Sequence, residues 1–389
     1  MTDMVFGTVA ARPGEPELSR WWRTVDRWTL AAGVALFLIG LLLGLAASVP
    51  LAAKNGLPPF HYVLRQVLFG LAGLLVMLWL SLQKPATIRR LGVLGFGLAF
   101  LALCLLPVFG TDYGKGAVRW FSLGFFSLQP SEFLKPVFVV FAAWLMAASF
   151  DVAGPPGKLL SFLLAALVAG LLVLQPDFGQ ASLILAAWGA MYFVAGASMT
   201  LLVGLAGAAV ALGMLAYDRS EHFARRIDSF LAPEVGPTTQ LGFATDAIRS
   251  GGLFGVGVGE GAVKWRLPDA HTDFIIAVAV EEYGLILCFL IILLFLVIVL
   301  RSLGRLLRER DPFARLAGTG LAAMFGLQAF INIGVAIRML PAKGMTLPLV
   351  SYGGSSLIAA GITLGFLLAL TRRRPQDDLT EALAVGRAG

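Results

Sequence analysis

The chain has 389 residues, 58% of them hydrophobic and 14% charged, with a mean hydropathy of +0.84. A soluble protein carries about 25% charged residues, so a soluble class is excluded, and 45 glycines with 19 prolines exclude one long coiled coil. A polytopic membrane protein remains. The net charge of +7 is not arranged as a Lys/Arg stripe interleaved with aromatics. Nucleic acid is therefore not an expected partner, and basic loops facing anionic lipid account for the charge.

Residues 1–27 hold four arginines and no apolar core. They read as a cytoplasmic extension ahead of an uncleaved anchor. Apolar runs long enough to span a bilayer follow near 28–50, 63–82, 91–110, 133–150, 159–175, 181–196, 199–217, 274–300, 317–337 and 353–371. The expected fold is all-α, a polytopic inner-membrane bundle of about ten helices over 28–371. A long periplasmic loop, 218–273, lies between the seventh and eighth spans. The tail 372–389 is cytoplasmic and, past Arg374, polar and small.

An even count puts both ends on one side, and the positive-inside rule sets which. With cytoplasmic ends, inner segments carry 17 of the 30 Lys and Arg, among them Arg20, Arg23, Arg27, Arg301, Arg305 and Arg372. Cys104 and Cys288 both lie in apolar runs, so neither a disulfide nor a Cys-based metal site is expected. His61, His222 and His271 are too scattered to form a cluster.

Polar residues concentrate on the outer side. Four segments stand out: Gly116 to Lys135; Gln175-Pro176-Asp177; Ser250 to Phe274; and Pro341 to Ser356. Arg119, Lys135, Arg338 and Lys343 are cations at outer span ends, where the positive-inside rule asks for none. Together with Gly-rich turns they fit an anionic, partly lipidic ligand. The alternative for each is a side chain snorkelling to the interface. The run Gly255, Gly257, Gly259 has no flanking βαβ unit and reads as a flexible or tightly packed re-entrant turn, not a dinucleotide loop.

Asp273 lies where the long loop enters the eighth span. A helix N-terminus favours its ionised form, so it is a candidate general base. The alternative is a helix cap supplied by Thr272 or Asp273. Glu281 and Glu282 lie about 12 Å further along the helix and point in different directions, so they are read as structural acids serving different neighbours. Glu132 and Lys135, three apart, are expected to pair. The pairs Gln129-Pro130 and Gln175-Pro176 read as helix stops whose amides satisfy freed backbone groups.

Taken together, Gly116-Ala117-x-Arg119-Trp120, Gln129-Pro130-Ser131-Glu132-x-x-Lys135, Gln175-Pro176-Asp177, Leu267-Pro268-x-x-His271-Thr272-Asp273-Phe274, Glu281-Glu282-x-Gly284 and Ser351-Tyr352-Gly353-Gly354-Ser355-Ser356 resemble the signatures of the SEDS family (shape, elongation, division and sporulation). The resemblance covers about residues 28–375. The run Pro341 to Pro348, with Lys343, resembles the cell-division branch more than the elongation branch.

The resemblance implies a ten-span glycosyltransferase that polymerises lipid II on the outer membrane face at the septum, with Asp273 as its essential carboxylate. Arg119, Trp120, Lys135, His271, Lys343, Ser351 and Ser355 are the candidate substrate-binding residues, with Arg119, Lys343 and Lys135 the candidates for the diphosphates. Expected partners are a class B penicillin-binding protein and other membrane proteins of the division complex. No motif fixes a metal site; Mg2+ or Mn2+ follows only from the family and from diphosphate chemistry, and no organic cofactor is expected. Where several relatives carry an acid, this chain has Trp265, and Glu260 or Asp269 could stand in. A lipid II flippase and a non-enzymatic scaffold are the alternatives. Polar residues biased to the outer face favour chemistry over transport.

Overall fold

The computed structural model describes residues 16–112, 118–124, 126–151, 153–231, 239–341 and 344–373. The chain forms helices α1 (Glu17–Thr24), α2 (Arg27–Lys54), α3 (His61–Ser81) and α4 (Pro85–Phe109), then a two-residue hairpin, β1 (Phe121–Ser122) with β2 (Ser127–Leu128). Next come α5 (Pro130–Ala148), α6 (Gly157–Leu174), α7 (Phe178–Val194), α8 (Met199–Arg219), α9 (Glu221–Leu231) and α10 (Gln240–Gly251). The last three are α11 (Ile275–Leu306), α12 (Pro312–Ala336) and α13 (Gly354–Leu370).

All ten apolar runs fall on helices. Among the described residues, α2 to α6, α11 and α12 are seven helices long and apolar enough to cross a membrane. Helices α7 and α13 are apolar but only 17 residues each, at the lower limit for a span. The remaining run lies on α8. One expectation needs correcting. The 218–273 segment is not one loop, because it contains α9 and α10. In the N-terminal extension α1 turns Trp21 inward, and its indole N–H donates to Ser81 Oγ at 2.9 Å.

Lipid tails are as apolar as Leu, so helices associate in a bilayer by close packing and polar ties. Helices α3 and α13 meet through Gly73 and Gly361; a Cβ on Gly361 would stand 2.2 Å from the Gly73 carbonyl oxygen. Polar ties close one end of the bundle. Asp26 caps α2 at Trp28 N and pairs with Arg301 and Arg305 of α11 at 3.1 and 3.2 Å. Arg305 also reaches the Thr371 carbonyl, while Arg372 reaches Thr24 Oγ1 and the Leu82 carbonyl. Both described chain termini therefore meet at this end.

Helix α11 is broken at Gly284, whose φ of 77° and ψ of −179° interrupt the ladder. Residues 252–257 fill the break. Val256 and Gly257 donate to the carbonyls of Glu281 and Glu282, and Leu285 and Ile286 donate to those of Gly252 and Leu253. Backbone groups freed by the break are thus re-satisfied. No side chain fits at Gly284, where a Cβ would lie 2.1 Å from the Leu253 carbonyl oxygen. The glycine-rich run packs tightly at Gly255, where a Cβ would lie 2.2 Å from the Glu282 carbonyl oxygen, and is open at Gly259.

Candidate functional site

The opposite end of the bundle is organised around residues 271–273. Asp273 precedes Phe274, the N-cap of α11, and that cap has no side-chain hydrogen bond. Neither Thr272 nor Asp273 caps the helix; the Thr272 hydroxyl donates to Asp269 O instead. The N-cap position is Phe274, one residue past Asp273 and two past Thr272.

Three successive carbonyls of this run are held by three different groups. His271 O accepts from Tyr352 N at 2.9 Å, Thr272 O from Ser351 Oγ, and Asp273 O from Asn332 Nδ2 at 3.0 Å. Asp273 N donates to Asp269 O at 3.1 Å. Each tie is to a main-chain atom and fixes the backbone of the run. Asn332 also donates to Met345 O at 2.6 Å, and Gln328, one turn earlier on α12, donates to Thr346 O at 2.9 Å. Gln66 of α3 joins Gly40 O and Val350 O at 3.0 and 3.2 Å. The 344–352 segment is therefore seamed to α2, α3 and α12, and it lies against the carboxylate: a Cβ on Gly344, whose φ is 62°, would stand 3.6 Å from Asp273 Oδ2. Lys343, like Gly116 and Ala117, lies outside the described residues.

The other expected ligand contacts divide. Ser351 Oγ accepts from Leu347 N at 2.9 Å and donates to Thr272 O. Ser355 Oγ bridges Gln129 N and Ser127 O, both at 3.1 Å. Each hydroxyl is occupied by backbone, so both serines shape the site. Lys135 is 2% exposed; its ammonium reaches both Glu132 oxygens at 2.9 and 3.0 Å and Gln328 Oε1 at 2.9 Å. Three donors are matched by three acceptors, so the expected pair with Glu132 is present and this conformation leaves no proton of Lys135 for a phosphate.

Arg119 holds the α6–α7 turn, donating to Gln175 O at 3.0 Å and Pro176 O at 2.6 Å. Trp120 bridges to Thr111. Burial pushes the Asp177 carboxyl up, against the pull of Arg119. Gln175 Nε2 meets the Leu103 carbonyl at 3.1 Å, an oxygen left without its helical partner because Pro107 has no N–H. The Gln-Pro reading fits there. Pro130, however, begins α5 instead of stopping a helix.

Glu281 and Glu282 correct a second reading. They serve one loop, not different neighbours. Glu281 Oε1 accepts from Val263 N at 2.8 Å, and Glu282 accepts from Gly259 N at 3.2 Å while pairing with buried Lys264. The loop is close to both side chains at Gly261, where a Cβ would lie 3.0 Å from Glu281 Cδ and 3.1 Å from Glu282 Cγ. Trp265 is 58% exposed, and Glu260 is exposed as well. Asp269 instead belongs to the 271–273 turn, with φ 53°. Among the described residues no three His, Cys, Asp or Glu side chains come together as a metal site.

Asn332, Gln328, Gln66 and Gln180 were not connected to this site by sequence. The available signal was an amide inside an apolar span, since amides there bond across helices.

A helical membrane bundle with one carboxylate held at the mouth of a Gly-rich seam defines the class. The profile of the FtsW/RodA/SpoVE family, described as cell cycle protein, matches residues 27–376, and the chain belongs to that family. Its relatives include proteins named "Probable peptidoglycan glycosyltransferase FtsW". The one from Caulobacter vibrioides is 43% identical over 366 residues, covering 94% of each chain. That of Halorhodospira halophila is 38% identical over 403 residues, covering 100% of this chain and 98% of the relative. Among solved structures, one described by the coordination of polymerization and crosslinking by a peptidoglycan synthase complex aligns with a TM-score of 0.71 at 29% identity, over 89% of this chain and 97% of that one. The Thermus thermophilus rod shape determining protein RodA aligns at 0.65, also 29% identical, over 90% and 97%.

Proposed function

We propose that the chain is a peptidoglycan glycosyltransferase that polymerises lipid II into β-1,4 glycan strands during septal wall synthesis, with Asp273 as general base. Family membership supports the activity. The observation that carries the assignment of the base is the triple backbone tie at 271–273, which holds one carboxylate against Gly344 without spending it on a helix cap. Such preorganisation is what proton abstraction requires.

In the proposed reaction Asp273 takes the proton of the acceptor sugar's 4-hydroxyl. The freed oxygen attacks the donor's anomeric carbon, forming the β-1,4 bond as the α-linked diphosphate leaves with the bonding electrons. Displacement from the opposite face inverts the anomeric centre. Negative charge on the leaving diphosphate calls for cations. Lys343, one residue before Gly344, is proposed for that role, and Arg119 orders the α6–α7 turn. Mg2+ or Mn2+ is proposed to arrive with the diphosphate substrate, so EDTA should reduce activity and either ion restore it.

The proposed partner is a class B penicillin-binding protein, together with other membrane proteins of the division complex. The proposed location is the septal inner membrane with both termini cytoplasmic, which puts Asp273 at the outer face. A cysteine at exposed Trp265 in a Cys104→Ser background should react with an impermeant thiol reagent from the periplasmic side. Labelling only from the cytoplasm would reverse the orientation. Polymerisation of lipid II in detergent, where flipping has no meaning, tests the enzyme reading against a flippase. Glycan strands support the enzyme; their absence from the reconstituted complex refutes it.

A further inference from the structure

A cluster of rings beside the site takes no part in the mechanism above. Tyr62, at the start of α3, stands edge-on to Tyr352, with centroids 5.5 Å apart and planes at 88°. It lies 6.0 Å from His271, which is 5.5 Å from Tyr352; His61 meets Tyr62 edge-on at 5.2 Å. All four side chains are partly exposed, so the rings are not sealed in the bundle. The Tyr62 hydroxyl is held by Asn55 Nδ2 at 2.8 Å. Arg65, also partly exposed and one turn along α3, lies against the Tyr352 hydroxyl.

The shelf and the carboxylate are parts of one rigid piece. Tyr352 N holds His271 O, and Asp273 is two residues on. Partly open aromatic faces with polar groups at the rim and one guanidinium suit one ligand class. The C–H face of a pyranose packs on a ring, its hydroxyls find the polar rim, and an attached anion finds the arginine. We propose that Tyr62, His271 and Tyr352 form the sugar subsite for the lipid-linked acceptor, with Arg65 meeting the acceptor's anionic group. This rests on the glycosyltransferase reading: the sugar bound next to the base is the one whose hydroxyl loses its proton.

The test uses the purified full chain reconstituted with its penicillin-binding protein and assayed with lipid II. Tyr62→Leu removes the aromatic face but keeps apolar bulk. It should raise KM for lipid II about three- to tenfold with kcat nearly unchanged, the range expected for one lost ring contact. Tyr62→Phe keeps the face and should keep KM. Arg65→Gln should also raise KM, and it carries the test alone if Tyr62→Leu does not fold. Wild-type KM in both folded variants, or a loss confined to melting temperature, overturns the subsite and marks the rings as packing. If the wild-type complex makes no glycan, the polymerase reading fails instead.

Discussion

Lys135 decides between two roles, and the structure assigns it the structural one. The ammonium spends its three donors on Glu132 and Gln328, and Glu132 Oε1 takes one more hydrogen bond from Gln180 Nε2 at 2.7 Å. Lys135→Met would remove the counter-charge and leave a buried carboxylate with a single amide donor, a change that costs about 3–5 kcal/mol when a buried pair loses one partner. Replacing both members by neutral groups costs far less, so Glu132→Gln with Lys135→Met should recover to within about 1–2 kcal/mol of the parent. The second substitution should therefore restore about 2–3 kcal/mol to Lys135→Met, a non-additivity that neighbours without a shared network do not show. Thermal unfolding of the four proteins in one detergent reads it, with glycan synthesis by the folded ones as the second measurement. A Lys135→Met protein as stable as the parent but inactive would refute the structural assignment and make Lys135 a substrate contact.

Two further outcomes follow from named contacts. Asn332→Leu removes the donor shared by Asp273 O and Met345 O; kcat should fall by up to about 10² through misplacement of the base with KM little changed, and an unchanged kcat with a raised KM would argue against a positioning role. At the other end, burial raises the Asp26 carboxyl but the hydrogen bond from Arg301 and the charges of Arg305 and Arg301 outweigh it, leaving the group below its ordinary 3.8. The pair's stabilisation is then complete above 3.8 and lost as pH falls through the lower folded value, so Asp26→Asn, which keeps the cap, should be less stable than the parent at neutral pH and equal to it in strong acid. A difference that persists unchanged into acid would place the contribution elsewhere.

The spans were legible because each is a run of apolar residues with a physical length to satisfy, and their helices differ from the runs mainly at the ends. The Glu132–Lys135 pair was legible for the same kind of reason, since i,i+3 spacing fixes a shared helix face. The break at Gly284 was not: a glycine in an apolar run reads equally as close packing, and only residues 252–257 arriving from a distance make the break affordable. That long-range contact also brought Glu281 and Glu282 to one loop. The site shows the same division. His271, Asp273 and Ser351 lie in motifs visible along the chain, whereas Asn332 acts across 59 residues on Asp273 and Tyr62 meets Tyr352 from the far end of the sequence. No periodicity records such contacts.

Asp273→Asn is the most direct test of the proposed chemistry. The substitution keeps the shape and the backbone ties at 271–273 while removing the base. Matched amounts of parent and variant, each reconstituted with its penicillin-binding protein and supplied with lipid II, should differ in glycan-strand formation by about 10² or more, with equal melting temperatures and equal binding to the partner. Glycan synthesis by Asp273→Asn near the parent rate would remove this carboxylate from the reaction.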